Sequence, residues 1–209
     1  MNNMPIITHE DEILLAKVDV EVSDMFKKLA SKIDKISDAE KSLGEMYQDY
    51  TKDLQEYARK MRDKSKQMEI LAREERSGVE KAEVDDYKKK IVDVEEQIKM
   101  IEGYYDRLKD LAGQKRSMTK KMEEYVKLVQ ANAKIRREIV ELGLKIEKDK
   151  NKMVAAESIS KVEDKLKDSE REFERSKKEM DKKWEQLVEE RGEVNAMWKA
   201  FKGAVDEFE

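Results

Sequence analysis

FKKLASKIDKISDAEKSLGEMYQDYTKDLQEYARKMRDKSKQMEIL (Phe26–Leu71) decides how the rest of the chain is read. Large apolar residues recur at Phe26, Leu29, Ile33, Ile36, Leu43, Tyr47, Tyr50, Leu54, Tyr57, Met61, Met68 and Leu71. The steps alternate between three and four, and only Glu40 and Lys64 interrupt them. A 3.5-residue period sustained in this way marks a helix wound against partners. Leu15, Val18, Val22 and Met25 extend the rhythm backward. A stop is expected around Arg73–Gly78, where Gly78 can cap the helix.

Two more periodic segments follow. One runs Val84, Tyr87, Ile91, Val94, Ile98, Ile101, Tyr105 and Leu108, then shifts phase near Gly113. It continues through Leu111, Met118, Met122, Tyr125, Val129, Ile135, Ile139, Leu142 and Ile146 on a drifting face, which implies a bend or a change of partner. The other runs from Ile159 through Leu166, Phe173, Met180, Trp184, Leu187, Val194, Trp198 and Phe201, with Ser158 expected as its N-cap. The spacing thus predicts three helices over roughly 15–76, 84–152 and 158–208.

Composition agrees. Of the 209 residues 45% are charged, and there is one proline, Pro5. A 100-Å-class helix (~1.5 Å per residue) cannot fold into a ball with a radius of gyration near ~17 Å. The expected architecture is all-α: three long antiparallel helices in an elongated coiled-coil bundle. It occupies 13–209, after a flexible N-terminal segment at 1–12. Several large residues look surplus to a three-helix core: Met46 beside Tyr47, Tyr104 beside Tyr105 and Met197 beside Trp198. They predict a second chain over the middle of the bundle, and symmetric pairs are the common solution.

Chemistry is sparse. No cysteine is present, so neither a disulfide nor a thiolate metal site is available. The only histidine, His9, is read as a solvated side chain of the N-terminal segment, with no second histidine and no cysteine to join it in a metal site. Phosphate-binding glycine loops, nucleophile elbows and zinc-helix motifs are missing. The expectation is a protein that is not an enzyme, with no cofactor and no metal. MNNMPIITHEDE does not resemble a signal peptide, and no apolar run approaches membrane-spanning length. A soluble intracellular protein is expected.

Charge is distributed unevenly. Residues 115–152 carry twelve bases and six acids, a net +6, whereas residues 1–50 carry six bases and eleven acids, a net −5. The candidate anion-binding residues are Lys115, Arg116, Lys120, Lys121, Arg136, Arg137, Lys145, Lys148, Lys150 and Lys152. An overall charge of −4 and the scarcity of aromatics among these bases, with Tyr125 alone in the stretch, argue against nucleic acid. An anionic membrane surface needs only a local patch. Residues 5–25 hold Ile6, Ile7, Ile13, Leu14, Leu15, Val18 and Val22, but acids outnumber bases there. A membrane wedge is therefore less expected than a simple extension of the bundle.

These features together resemble the BAR domain family, most closely the BAR domains of sorting nexins. REFERSKKEMDKKW (171–184) supplies Phe173, Glu174, Lys177, Lys178 and Asp181, similar to the Phe-Glu and Lys-rich turn of that family's last helix. NAMWKAF (195–201) supplies the terminal Trp198 and nearby Phe201, and YYDRLKDLAGQKRSM (104–118) resembles the segment before the basic stretch. Met197 stands where a tyrosine is common. A phosphoinositide-binding PX domain is absent, so a fragment or a BAR-only protein is expected. The resemblance implies a homodimer, or a heterodimer with a related BAR protein, joined into a curved six-helix core. Its interface would use Leu43, Tyr47, Tyr50, Leu54, Tyr57, Trp184, Leu187, Val194, Trp198 and Phe201. It further implies a cytoplasmic protein, peripheral on endosomal or other intracellular membranes, that senses or generates curvature on anionic phospholipid. The alternative is a coiled-coil scaffold with no lipid role.

Overall fold

In the computed structural model, which describes residues 9–74 and 79–206, three helices account for nearly everything: α1 (His9–Ala72), α2 (Lys81–Asn151) and α3 (Ala156–Asp206). No proline follows Pro5, so no residue forces an interruption of any backbone ladder. Residues 9–12, the end of the N-terminal segment expected over 1–12, belong to α1, and Glu12 is tied to α2 by Arg136. Residues 1–8 and the expected cap Gly78 lie outside the described residues.

The helix ends have identifiable causes. α2 stops in a Schellman motif: the Val154 N–H donates to the Asp149 carbonyl at 3.1 Å and the Met153 N–H to Lys150 at 3.2 Å. Met153 takes the left-handed position with φ of 54°, where glycine is the usual residue. α3 begins two residues before the expected cap. The Ile159 N–H reaches the Ala155 carbonyl, so Ala155 is the N-cap and Ser158 lies inside the first turn.

The chain divides into two compact units, and each helix contributes to both. The first holds α1 through Asp34 together with Lys115–Glu193; the second holds Lys35–Gln114 with α3 from Val194 onward. The division of α2 falls beside Gly113, where the apolar phase shifts.

In the second unit α1 and α2 run antiparallel. Ser37 meets Ala112, Tyr47 meets Tyr104, Arg62 pairs with Glu95, and Glu69 pairs with Lys88. α3 joins from Val194 onward, and Tyr104 receives it: its hydroxyl donates to the Ala204 carbonyl at 2.8 Å and its ring meets Phe201 edge-on. Over Val84–Ile101, α2 therefore packs mainly on one partner, which is why its seam there is narrow and strictly heptad. Lys64, which interrupts the α1 seam, lies over the Tyr87 ring at 5.1 Å, a contact that keeps its charge at the edge of the apolar stripe.

In the first unit all three helices meet over the stretch where α1 accompanies α2, from the Glu12–Arg136 pair inward. Phe26, Tyr125 and Trp184, one from each, form an aromatic cluster with centroids 5.5–5.9 Å apart. α2 faces both neighbours here and buries Met118, Met122, Val126, Val129, Ala133 and Val140. A stripe this wide cannot keep a single heptad phase, and that is the physical origin of the drift.

The core face of α1 is not the one its large residues suggest. Ala16, Ser23, Ala30, Ser37, Gly44, Thr51, Ala58 and Ser65, seven residues apart throughout, are all buried. Small side chains let α2 approach closely. The Ser37 hydroxyl donates to the Ala112 backbone carbonyl at 2.9 Å, and a Cβ at Gly44 would lie 3.3 Å from the Tyr105 ring. Phe26, Ile33, Tyr47, Leu54 and Met68 flank this row half-buried, while Met61 and Glu40 are buried. Leu15, Leu29, Ile36, Leu43, Tyr50, Tyr57 and Leu71, read from the sequence as seam residues, face solvent.

Candidate functional site

Two surfaces follow from this packing. The first is apolar. In the second unit, Leu43, Tyr50 and Tyr57 stand exposed along one row of α1, with Met46 beside them and 69% exposed. Trp198 on α3 remains 45% exposed although its ring touches Phe201 at 5.8 Å. In the first unit, Leu15, Val18, Met25 and Leu29 form the corresponding row, and α3 adds Trp184 and Val188. Along α3 the core follows Phe173, Met180, Leu187, Val194 and Phe201. Trp184 and Trp198, each one or more positions off that line, carry large aromatic area outward.

The expected interface set divides accordingly. Leu43, Tyr50, Tyr57 and Trp198 share exposure in the second unit, and Trp184 is exposed in the first. Tyr47 and Leu54 are half-buried against α2. Leu187, Val194 and Phe201 are buried in the chain's own core and offer no surface, which corrects their assignment to an interface. Their large apolar side chains complete the α3 seam, and heptad spacing alone did not distinguish the inward position from its neighbour.

The second surface is basic and belongs to the first unit. Its ten expected cations are not equivalent. Arg136 is a core organiser. Its Nη1 donates to Glu12 at 2.8 Å, its Nε lies 3.5 Å from Asp19, and the guanidinium stacks 4.8 Å from the Phe173 centroid. Burial pushes the Asp19 carboxyl above its ordinary value, against the lowering pull of Arg136, and Glu12 adds to the rise. Lys121 lies 2.9 Å from the buried Glu190 carboxylate, and Lys150 pairs with Glu163 at 2.9 Å. Arg136 is mostly covered and serves the chain's own packing, whereas Lys121 is half-buried and Lys150 stays on the surface with its pair exposed to solvent. Lys115 is half-buried, and both it and Arg116 have interactions of their own. Lys120, Arg137, Lys145, Lys148 and Lys152 are exposed. Lys145, Lys148 and Lys152 cluster in the last turns of α2 and just past it, where the helix dipole also favours positive charge.

Sequence reasoning missed a groove in the first unit, lined by residues of all three helices around Leu29 and Trp184. The visible signal was the row 184, 188, 191 on α3, offset from the core heptad. Among the described residues no helix is long and apolar enough to cross a membrane, and no group of three or more His, Cys, Asp or Glu side chains is placed to hold a metal ion. The chain matches no protein-family model, no curated relative and no solved structure.

Proposed function

We propose that this protein is a self-associating, BAR-like membrane-surface protein that places exposed lysines on anionic lipid and senses or generates curvature. The observation that supports it most is the exposed apolar row Leu43, Met46, Tyr50 and Tyr57, together with Trp198. Apolar side chains repeated at helical spacing in solvent are the usual mark of a surface that another chain covers. The partner is a second copy, or a close relative, giving a curved six-helix core. Lys145, Lys148 and Lys152 provide the lipid contact. By the same resemblance, the setting is the cytoplasmic face of endosomal membranes.

Each basic residue near an anionic leaflet contributes roughly 1 kcal/mol, so three on one chain matter and a dimer doubles them. Charge reversal at Lys145, Lys148 and Lys152 should lower pelleting with phosphatidylserine vesicles more than tenfold and leave the sedimentation mass unchanged. Undiminished pelleting of that variant defeats the lipid contact. One observation favours a scaffold with no lipid role: Lys121, Arg136 and Lys150 are already engaged by carboxylates of the same chain. That reading gains if the protein self-associates yet ignores vesicles of every composition.

A further inference from the structure

The groove of the first unit has no part in the reading above. Its walls come from all three helices: Phe26 and Leu29 from α1, Met118 and Met122 from α2, Trp184 and Arg191 from α3. It encloses about 280 Å³, close to the lower end of the range for small-molecule sites, about 300–1,000 Å³. Arg191 is the one charged side chain among the described residues that line it. Three and four positions away on α3 stand Leu187, Val188, Val194 and Asn195. Its own helix therefore offers Arg191 no carboxylate at pairing distance. Thioethers opposite an indole make an adaptable apolar wall.

An apolar cleft with one guanidinium at its edge is complementary to an amphipathic anion. We infer that this groove binds a free single-chain carboxylate amphiphile. The chain lies between Trp184 and the two methionines, and the carboxylate takes the paired donors of Arg191. A second copy's apolar face fits the groove less well, because it would bury Arg191 without an acid to compensate it. The inference rests on the first unit alone and does not depend on membrane binding or self-association.

The probe is decanoate, titrated calorimetrically into the full chain below its micellar concentration, with decyltrimethylammonium as the cationic control. One saturable decanoate per chain is expected, bound at least tenfold more tightly than the cation. Arg191→Ala should weaken decanoate at least tenfold. Val188→Glu, which sets an acid one turn from Arg191 at an exposed position, should do the same. Neither variant touches a buried side chain, so circular dichroism should be unchanged. Affinity for Arg191→Ala within twofold of the parent overturns the assignment, as does non-saturable uptake. Binding that disappears as protein concentration rises assigns the groove to a second copy and overturns it too. Displacement of decanoate by phosphatidylserine vesicles would assign the groove to a bilayer instead and equally defeat the proposal.

Discussion

Arg136→Met separates a structural cation from a surface one. The substitution keeps the aliphatic stem and removes the charge. It takes away the 2.8 Å charge-assisted bond to Glu12, the approach to Asp19 and the stacking on Phe173. Such a bond is worth about 1.5–3 kcal/mol, and a cation over an aromatic ring about 0.5–1 kcal/mol when partly exposed. The side chains involved retain 19–28% of their exposure, so solvent screening favours the lower end. The expected loss is about 2–3 kcal/mol, measured as a shift of the urea midpoint at constant slope. For a chain of this length that corresponds to about 4–12 °C in melting temperature. Much of the cost comes from the carboxylates left behind, so adding Glu12→Gln and Asp19→Asn should recover about half of it. Vesicle pelleting, normalised to folded protein, should not change. A loss under about 0.5 kcal/mol, or a pelleting defect as large as that of the lysine reversal, refutes the role given to Arg136.

Met153→Gly should stabilise the protein by about 0.5–1 kcal/mol, because glycine adopts the left-handed cap without the Cβ penalty; Ala155→Asp should add about 1 kcal/mol at the α3 N-cap, and urea titration reads both. Asp19 gives stability a definite pH trend. Its folded carboxyl holds a proton above the ordinary value of 3.8, so the folded chain binds more protons in the window just above that value. Stability from this group then falls as pH rises through the window and returns on acidification; the difference between parent and Asp19→Asn urea profiles should carry that slope. Phe201→Asp should cost at least the roughly 3–5 kcal/mol typical of emptying a buried aromatic site. Trp198→Asp should leave the circular dichroism spectrum intact and shift sedimentation towards monomer; a dimer that survives it moves the interface elsewhere.

The three helices were legible because alternating steps of three and four run almost unbroken from Phe26 to Leu71 and reappear from Ile159 to Phe201. Their polarity within each unit follows from short connections. What spacing could not reveal was which face of α1 is inside. Periodicity weighs large residues, and here the buried row is Ala, Ser, Thr and Gly, chosen by the approach of the α2 backbone. The large residues one step away were read as core and turned out to be surface. Charge counting failed at Arg136 for a related reason. Its partners Glu12 and Asp19 are more than a hundred positions distant, and a local tally sees only a basic stretch. Ser158 illustrates a smaller gap. It is the better capping residue, but the chain leaves the Met153 turn already committed to helix at Ala156.

A small residue every seventh position makes α1 periodic along its own axis. Sliding it past α2 by one heptad, about 10 Å, sets alanine, serine or threonine again where a small side chain stood, so the ladder itself scarcely opposes slippage. Alignment must come from features that do not repeat: the serine hydroxyl bound to the carbonyl of Ala112, the missing Cβ opposite Tyr105, the lysine above Tyr87 and the Arg62–Glu95 pair. Each is weak, and each belongs to a single register. In this hairpin the small side chains set how near the helices lie, and a few singular contacts choose among otherwise equivalent alignments.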